Sequence, residues 1–256
     1  MNVKTPPSIG IIGSGRVANA IGVLFKSKGI HIKSLYSRNK DTGKALSVKL
    51  DCPFMTQIED VVADILLICV SDDAIHQVIG KIPAQQKVLY TAGSVELNSL
   101  DHKGCGVFYP LQTFTDRDQN IAYHFPILLE AHQDELMDEM ILLCVQSGLK
   151  FEKCSSDKRK QYHLVAVLLN NFVNHLVYLS QEEANKRGLS WDVLEPLLEK
   201  TLVSIKQSKA KENQTGPARR GDLKILAKHE EMLDEATKKI YRQLSESILN
   251  TYKNEL

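Results

Sequence analysis

The stretch Ser8-Ile9-Gly10-Ile11-Ile12-Gly13-Ser14-Gly15-Arg16-Val17-Ala18 decides how this chain is read. A short apolar run enters a G-x-G-x-x-A turn. Val17, Ala20, Ile21, Leu24 and Phe25 then recur at helical spacing over 17–28, with Gly29 as a stop. Each small residue has a mechanical reason. Gly13 permits the tight turn, Gly15 lets the backbone approach a pyrophosphate, and Ala18 lets the helix pack closely on the strand. The helix start, with Ser14, Arg16 and Val17, turns free N–H groups toward the anion. A glycine match alone is weak, but the strand before it and the helix after it favour a dinucleotide site over a structural turn.

Further strands are expected at 30–36, 65–70, 87–91 and 106–109. They are rich in Ile, Val and Leu with little polar alternation, which suits strands covered on both faces. The alternation with amphipathic stretches predicts an α/β fold, a Rossmann-like, doubly wound and mostly parallel sheet. A helix over 134–147, a stop at Gly148 and a strand at 150–152 close a first domain at 1–155. From 156 to 256 only helical patterns follow, at 161–181, 191–207 and 223–253, with a polar loop at 208–222. The 161–181 pattern is apolar around most of its circumference, so it is expected to be buried nearly all round, partly by a second copy. The second domain thus reads as an all-α substrate and dimerisation domain of a homodimer.

Composition narrows the function. Lys plus Arg total 32 against 31 for Asp plus Glu, a net charge of +1, too balanced for a general nucleic-acid binder. Five cysteines without a C-x-x-C pair argue against a disulfide framework or a zinc knuckle and read as reduced thiols. The amino terminus has no apolar signal core, and the densest apolar run, 61–70, is interrupted by Asp64 and too short to span a bilayer. A cytoplasmic protein with no membrane partner is expected.

The nucleotide is chosen at the end of the second strand, where an Asp or Glu would hold the ribose hydroxyls of NAD. Here the chain reads Tyr36-Ser37-Arg38-Asn39-Lys40. Ser37 and Arg38 suit the 2′-phosphate of NADP; the other reading is a solvated turn. Val70, Ser71, Ala74, Ala92, Gly93 and Pro110 lie at later strand ends and are expected cofactor neighbours, while Asp72 and Asp73 read as helix caps. Gln112 and Thr113 could bond a substrate carboxylate or the nicotinamide amide, or only hold a turn. His163, Asn170 and Asn171 interrupt an apolar helix about two turns apart, as a buried hydrogen-bond network or as catalytic groups. Arg219 and Arg220 stand between Gly-Pro and Gly-Asp, as an anion anchor or as a helix entry capped by Asp222. No hydrolase triad order and no metal-ligand spacing appears, so no metal is expected.

The nucleotide fingerprint with Ser37-Arg38, Val70-Ser71-Asp72-Asp73-Ala74-Ile75, Thr91-Ala92-Gly93-Ser94, Tyr109-Pro110-Leu111-Gln112-Thr113-Phe114 and Thr215-Gly216-Pro217-Ala218-Arg219-Arg220-Gly221-Asp222 together resemble one family. It is a family of NADP-dependent oxidoreductases with a Rossmann-like first domain and a helical dimerising domain of unknown function. The resemblance covers nearly the whole chain. Its relatives include pyrroline-5-carboxylate reductases and β-hydroxyacid dehydrogenases, which implies hydride transfer to or from a small keto, imino or hydroxy acid. Many members carry His where this chain has Tyr109, so an acid role for that histidine does not carry over. β-Hydroxyacid dehydrogenases have Lys-x-x-Asn-Asn, and this chain reads Val167-Leu168-Leu169-Asn170-Asn171: the asparagines match and the catalytic lysine is missing. His163 is the nearest titratable substitute.

These readings converge on an NADPH-dependent reductase of a small carbonyl or imine compound, with cofactor on the first domain and substrate held between the two. His163, Asn171 and Gln112 are the expected catalytic groups, with Thr113, Asn170, Arg219 and Arg220 binding substrate. The alternative is a catalytically inactive NADP-binding regulatory protein. A third reading, reduction of a deazaflavin, rests on remote relatives alone.

Overall fold

The computed structural model describes residues 5–115 and 125–255. One sheet contains β1 (Ile9–Ile12), β2 (Ile32–Tyr36), β3 (Phe54–Met55), β4 (Ile65–Ile68), β5 (Lys87–Tyr90), β6 (Cys105–Pro110), β7 (Ile127–Ala131) and β8 (Phe151–Lys153). Their order is β3-β2-β1-β4-β5-β6-β7-β8. All neighbours are parallel except β6 and β7. Side chains alternate between two cores. Ile9 and Ile11 of β1, Ile65 and Leu67 of β4 and Leu89 of β5 join one, and Ile12, Leu66, Ile68, Val88 and Tyr90 join the other. That two-sided burial is why these strands read as unbroken apolar runs.

Helix α1 (Arg16–Ser27) buries Ala18, Ile21, Leu24 and Phe25, and the chain turns at Gly29 with φ +74. Next come α2 (Lys40–Leu50), α3 (Asp72–Ile79) and α4 (Asp134–Ser147), the last ending at Gly148 with φ +70. Beyond the sheet lie α5 (Ser156–Ala166), a π-helical segment (Val167–Phe172), α6 (Val173–Lys186), α7 (Glu195–Gln207), α8 (Leu223–Glu231) and α9 (Glu235–Tyr252). The described chain forms two compact units, one running to Asn171 and one from Phe172 onward, so α5 belongs with the sheet.

Three expectations need correction. The 161–181 pattern is helical but not buried nearly all round: Leu164 and Leu169 are 63% and 71% exposed, because a single chain does not supply cover for every side of so apolar a helix. The terminal pattern at 223–253 is two helices. Asp234 accepts from Ala236 N at 3.1 Å and Thr237 N at 2.9 Å and so starts α9 afresh. Two strands escaped the sequence reading, β3 with its pair of residues and the antiparallel β7.

Candidate active site

The nucleotide turn is built by the exit from β1. Gly13 adopts φ +119, and a Cβ there would lie 2.2 Å from the Cys69 carbonyl oxygen, so glycine alone fits. Its N–H donates to Tyr36 O at 2.8 Å, which ties the turn to the end of β2. Gly15 is the N-cap of α1 and gives its first-turn N–H groups no side chain; the space around it is open. Arg16 and Val17 then begin the helix. Such a turn has room and donors for a pyrophosphate.

Ser14 Oγ lies 2.7 Å from Ser37 Oγ and 2.6 Å from Thr42 Oγ1. Three hydroxyls therefore join the glycine turn to the start of α2, and Thr42 was not foreseen. Asn39 caps that helix through Asp41 N and Thr42 N at 3.1 and 3.2 Å. The 37–40 segment is thus a built helix entry. Ser37 is buried in it, whereas Arg38 is exposed and makes no hydrogen bond or ion pair among the described residues. An unpaired guanidinium on the residue after Ser37, whose hydroxyl meets Ser14 of the glycine turn, fits the 2′-phosphate of NADP, and the absence of an acidic side chain at 37–40 disfavours the free ribose hydroxyls of NAD.

The expected strand-end residues gather on the carboxyl edge. Val70 and Ser71 follow β4, and Ser71 is the N-cap of α3, where Ala74 lies in the first turn. Asp72 and Asp73 lie within the first turn of that helix and do not cap it as expected, and the Asp72 carboxylate instead accepts from the Ser94 hydroxyl. Ala92 and Gly93 follow β5, and Pro110 ends β6. Gly93 is closely packed. A Cβ on it would stand 2.9 Å from Tyr109 Cζ and 3.1 Å from His163 Nδ1.

Those two side chains meet there: Tyr109 Oη lies 3.0 Å from His163 Nδ1, with the rings edge to face. They open onto a cleft of about 600 Å³ inside the sheet unit, lined also by Gln112, Thr113, Asn170 and Asn171. Asn170 Nδ2 donates to Thr113 Oγ1, and Gln112 Oε1 accepts from Thr113 N at 2.9 Å. The structure therefore brings together every residue expected at the cleft from the strand end and the 161–171 helix. Asn170 and Asn171 stand on the π-helical segment, a distortion that often accompanies functional positions.

Sequence reasoning missed Tyr109 as a site residue and Arg159 altogether. Burial raises the Tyr109 phenol above its ordinary range, helped by Asp72 and opposed by Arg159. Arg159 is wholly buried. It pairs with Glu130, and its Nη2 donates to Val95 O at 2.5 Å and Ser156 Oγ at 3.2 Å. Glu130 in turn accepts from Ser156 N at 2.9 Å and Ser156 Oγ at 2.8 Å. This network fastens the first turn of α5 to β7 and to the loop after β5, one turn before His163. Nothing in Ser156-Asp157-Lys158-Arg159-Lys160 distinguishes the buried cation from the solvated ones. Tyr109 had a signal: it stands last before Pro110 at a strand end.

Arg219 and Arg220 lie in the second unit. Arg219 Nη2 donates to Glu255 at 2.9 Å, and its guanidinium sits 4.3 Å from the Tyr252 ring centre. Asp222 caps α8 through Ile225 N at 3.2 Å, and Arg220 is exposed. A larger recess of about 1070 Å³ lies at the amino edge of the sheet, where Lys87 is already paired with Glu135 and Glu139. Size does not make it the site, since open α/β sheets bind ligands at the carboxyl edge.

Residues 8–91 match the family described as NADP oxidoreductase, coenzyme F420-dependent, and residues 125–248 match a domain of unknown function. The chain carries an NADP oxidoreductase domain joined to a domain of unknown function. The match of residues 8–91 supports NADP as the cofactor. Among solved structures, a Bacteroides fragilis protein designated an NADP oxidoreductase is 28% identical, over 96% of this chain and 98% of that one, with TM-score 0.85. An imine reductase from Myxococcus stipitatus in complex with NADP+ is 12% identical, over 97% and 93%, with TM-score 0.65. The 1-pyrroline-5-carboxylate reductase of Streptococcus pyogenes is 15% identical, over 97% and 99%, with TM-score 0.60. These last two likenesses are of fold. No curated protein matches the sequence. No helix of the described residues is long and apolar enough to cross a membrane, and no group of three or more His, Cys, Asp or Glu among them could hold a metal ion.

Proposed function

We propose that this oxidoreductase uses NADPH to reduce the C=N or C=O bond of a small imino or keto compound in the Tyr109–His163 cleft. The observation that carries the reading is a shared edge. The glycine turn leaves β1, Gly93 follows β5 and Tyr109 ends β6, and the sheet order sets β1, β4, β5 and β6 side by side. At about 4.8 Å between strands the turn and the cleft are roughly 14 Å apart along that edge, a span suited to a dinucleotide lying across it. The bound nucleotide supplies the hydride. The chain's task is to orient the acceptor carbon, exclude water and supply a proton to the heteroatom.

Gly13, Ser14, Gly15, Arg16 and Val17 would hold the pyrophosphate, with Ser37 and Arg38 at the 2′-phosphate. Val70, Ser71, Ala74, Ala92, Gly93 and Pro110 would flank the rest. In the cleft, Gln112 and Asn171 present amides that can polarise the substrate, His163 can exchange a proton, and Thr113 and Asn170 hold one another in place as binding groups. Of the two arginines in the second unit, Arg220 is freer to meet an anion, because Glu255 and Tyr252 engage Arg219. The match to the F420-dependent family ends at residue 91, before any of the cleft residues from Tyr109 onward, so it supports the nucleotide site and leaves the acceptor to the cleft. The imine and pyrroline-carboxylate reductases of like fold favour an imine acceptor. A homodimer is part of the proposal: Leu164, Leu168, Leu169 and Phe172 are exposed in succession on one helical stretch, a surface a second copy would cover. The five cysteines are free, as a reducing cytoplasm would keep them.

Calorimetric titration of NADPH and NADH into wild type and Arg38→Ala tests the cofactor assignment. NADPH is expected to bind tightly and to weaken by roughly 10- to 100-fold in the variant, with NADH unchanged. Equal binding of both nucleotides to both proteins would sink the role of Arg38. Saturable NADPH binding without oxidation by any imino or keto compound would favour the regulatory alternative.

A further inference from the structure

We propose that Tyr109 and His163 are the proton-delivery pair of this site, the phenol protonating the substrate heteroatom and the imidazole restoring the phenol. The inference rests on the reductase reading above. Three titratable side chains line the cleft among the described residues: Tyr109, Tyr162 and His163. Tyr162 is engaged elsewhere, its hydroxyl 3.0 Å from both oxygens of Glu152. Gln112, Thr113, Asn170 and Asn171 can donate hydrogen bonds but give up no proton near neutrality. That leaves the phenol and imidazole in mutual contact at 3.0 Å, with Gly93 packed against both rings.

Their environments divide the work. Tyr109 is the more buried, and burial together with Asp72 keeps its phenol protonated despite Arg159. His163 is exposed, so its ring can exchange with water. Imidazole is also the side chain whose ordinary titration lies near neutral pH, which suits it to recharge a phenol that does not. As the substrate carbon accepts hydride, the C=N or C=O π pair moves to the heteroatom and takes the Tyr109 proton. The resulting phenolate takes the Nδ1 proton of the imidazolium, and neutral His163 recovers a proton from water. The substrate gains one hydride and one proton, and the nicotinamide leaves oxidised. Gly93 explains why the pair stays assembled, since any larger residue there would press Tyr109 and His163 apart.

The test begins without nucleotide. In the full chain labelled with 15N-histidine, the His163 resonances are assigned by their loss in His163→Gln and followed through a pH titration. Tyr109→Phe is expected to shift the Nδ1 resonance; an unmoved His163 would overturn the pairing. Single-turnover oxidation of NADPH is then followed with 1-pyrroline and with pyruvate as probes. Tyr109→Phe is expected to bind NADPH as wild type does and to slow turnover about 100-fold, with His163→Gln slowed less because water can substitute in recharging. Wild-type turnover that Tyr109→Phe leaves within about 3-fold would overturn the donor role while the reductase reading stands. NADPH binding without oxidation of either probe by wild type would overturn the reduction of this substrate class, and the donor role with it.

Discussion

The two units are stabilised by different means. The sheet unit holds its own core: of the buried hydrophobic residues among those described, all but Ala184, Ala218, Leu226 and Tyr252 lie in it. The helical unit instead shows Leu176, Leu197, Leu202, Val203 and Leu244 at its surface and is laced by ion pairs such as Lys186–Asp234 at 2.7 Å and Arg242–Glu230 at 2.5 Å. Exposed pairs of that kind contribute only about 0–1 kcal/mol each. The contrast follows from geometry. A doubly wound sheet buries both faces within one chain, whereas a few helices with apolar surface on several sides cannot cover one another. The nucleotide turn and the cleft stand on the unit that needs no partner for its core. Trp191, the single tryptophan, lies in the other unit, so its fluorescence reports on that unit.

The largest effect should come from Arg159, the one fully buried charge among the described residues, which lies in the sheet unit. Removing Glu130 leaves the Arg159 guanidinium without its anion, and Glu130→Ala is expected to cost about 3–5 kcal/mol. Urea unfolding followed by hydrogen exchange should show β5, β7 and α5 losing protection first, while the Trp191 signal moves little. Pairing Glu130→Leu with Arg159→Met should recover much of the loss, because two apolar neighbours need no charge compensation. If the single substitution were as mild as the double, the network would be ornamental and α5 would be held by packing.

The same contrast predicts different responses to alkali. Burial pushes the thiols of Cys69, Cys105 and Cys144 up to about 12, and it raises the Tyr90 and Tyr109 phenols as well. All five lie in the sheet unit. A group with a raised folded-state pKa contributes full stability below its unfolded value and loses it as pH climbs toward the folded one. Sheet stability should therefore hold to about pH 9 and fall between about 9 and 12, by roughly 1 kcal/mol per thiol at pH 10. Replacing Cys69, Cys105 and Cys144 by Ala should flatten that limb without moving the Trp191 transition. A limb that stayed equally steep would assign the loss to other groups.

This division also explains what the sequence could disclose. Gly13, Gly15 and Ala18 with their flanking periodicities are local patterns, so the nucleotide turn was legible, as were α4 and its Gly148 stop. The paired residues of β3 and the antiparallel β7 owe their existence to neighbouring strands, which no local period records. Gln112, Thr113, His163, Asn170 and Asn171 could be named from their polarity in apolar or strand-end settings. That Tyr109 meets His163 is a tertiary fact, since 54 residues separate them. Arg159 was the least legible, because burial of one cation among Lys158, Arg159 and Lys160 depends on a carboxylate 29 residues away. The break at Asp234 was readable as an N-cap and was overridden by the helical period on either side of it.

The smallest expected effect tests how the helical unit makes up for its missing core. Leu197 is 67% exposed and Leu202 48% exposed, so in a lone chain Leu197→Glu and Leu202→Glu would each fall within about 0.5 kcal/mol of wild type. If a second copy covers those faces, each variant must desolvate a carboxylate on association and should sediment as a monomer where wild type sediments as a dimer. Mass action adds a second signature: the wild-type Trp191 transition should gain about 1.4 kcal/mol for every tenfold rise in protein concentration, and the variants should lose that dependence. The hydrogen-exchange pattern of β1, β4 and β5 should be the same in all three proteins, because the sheet unit buries its own apolar surface. A concentration-independent Trp191 transition in wild type would mean that the helical unit stands on its few buried residues and surface pairs, and the dimer would fall while the nucleotide site remained.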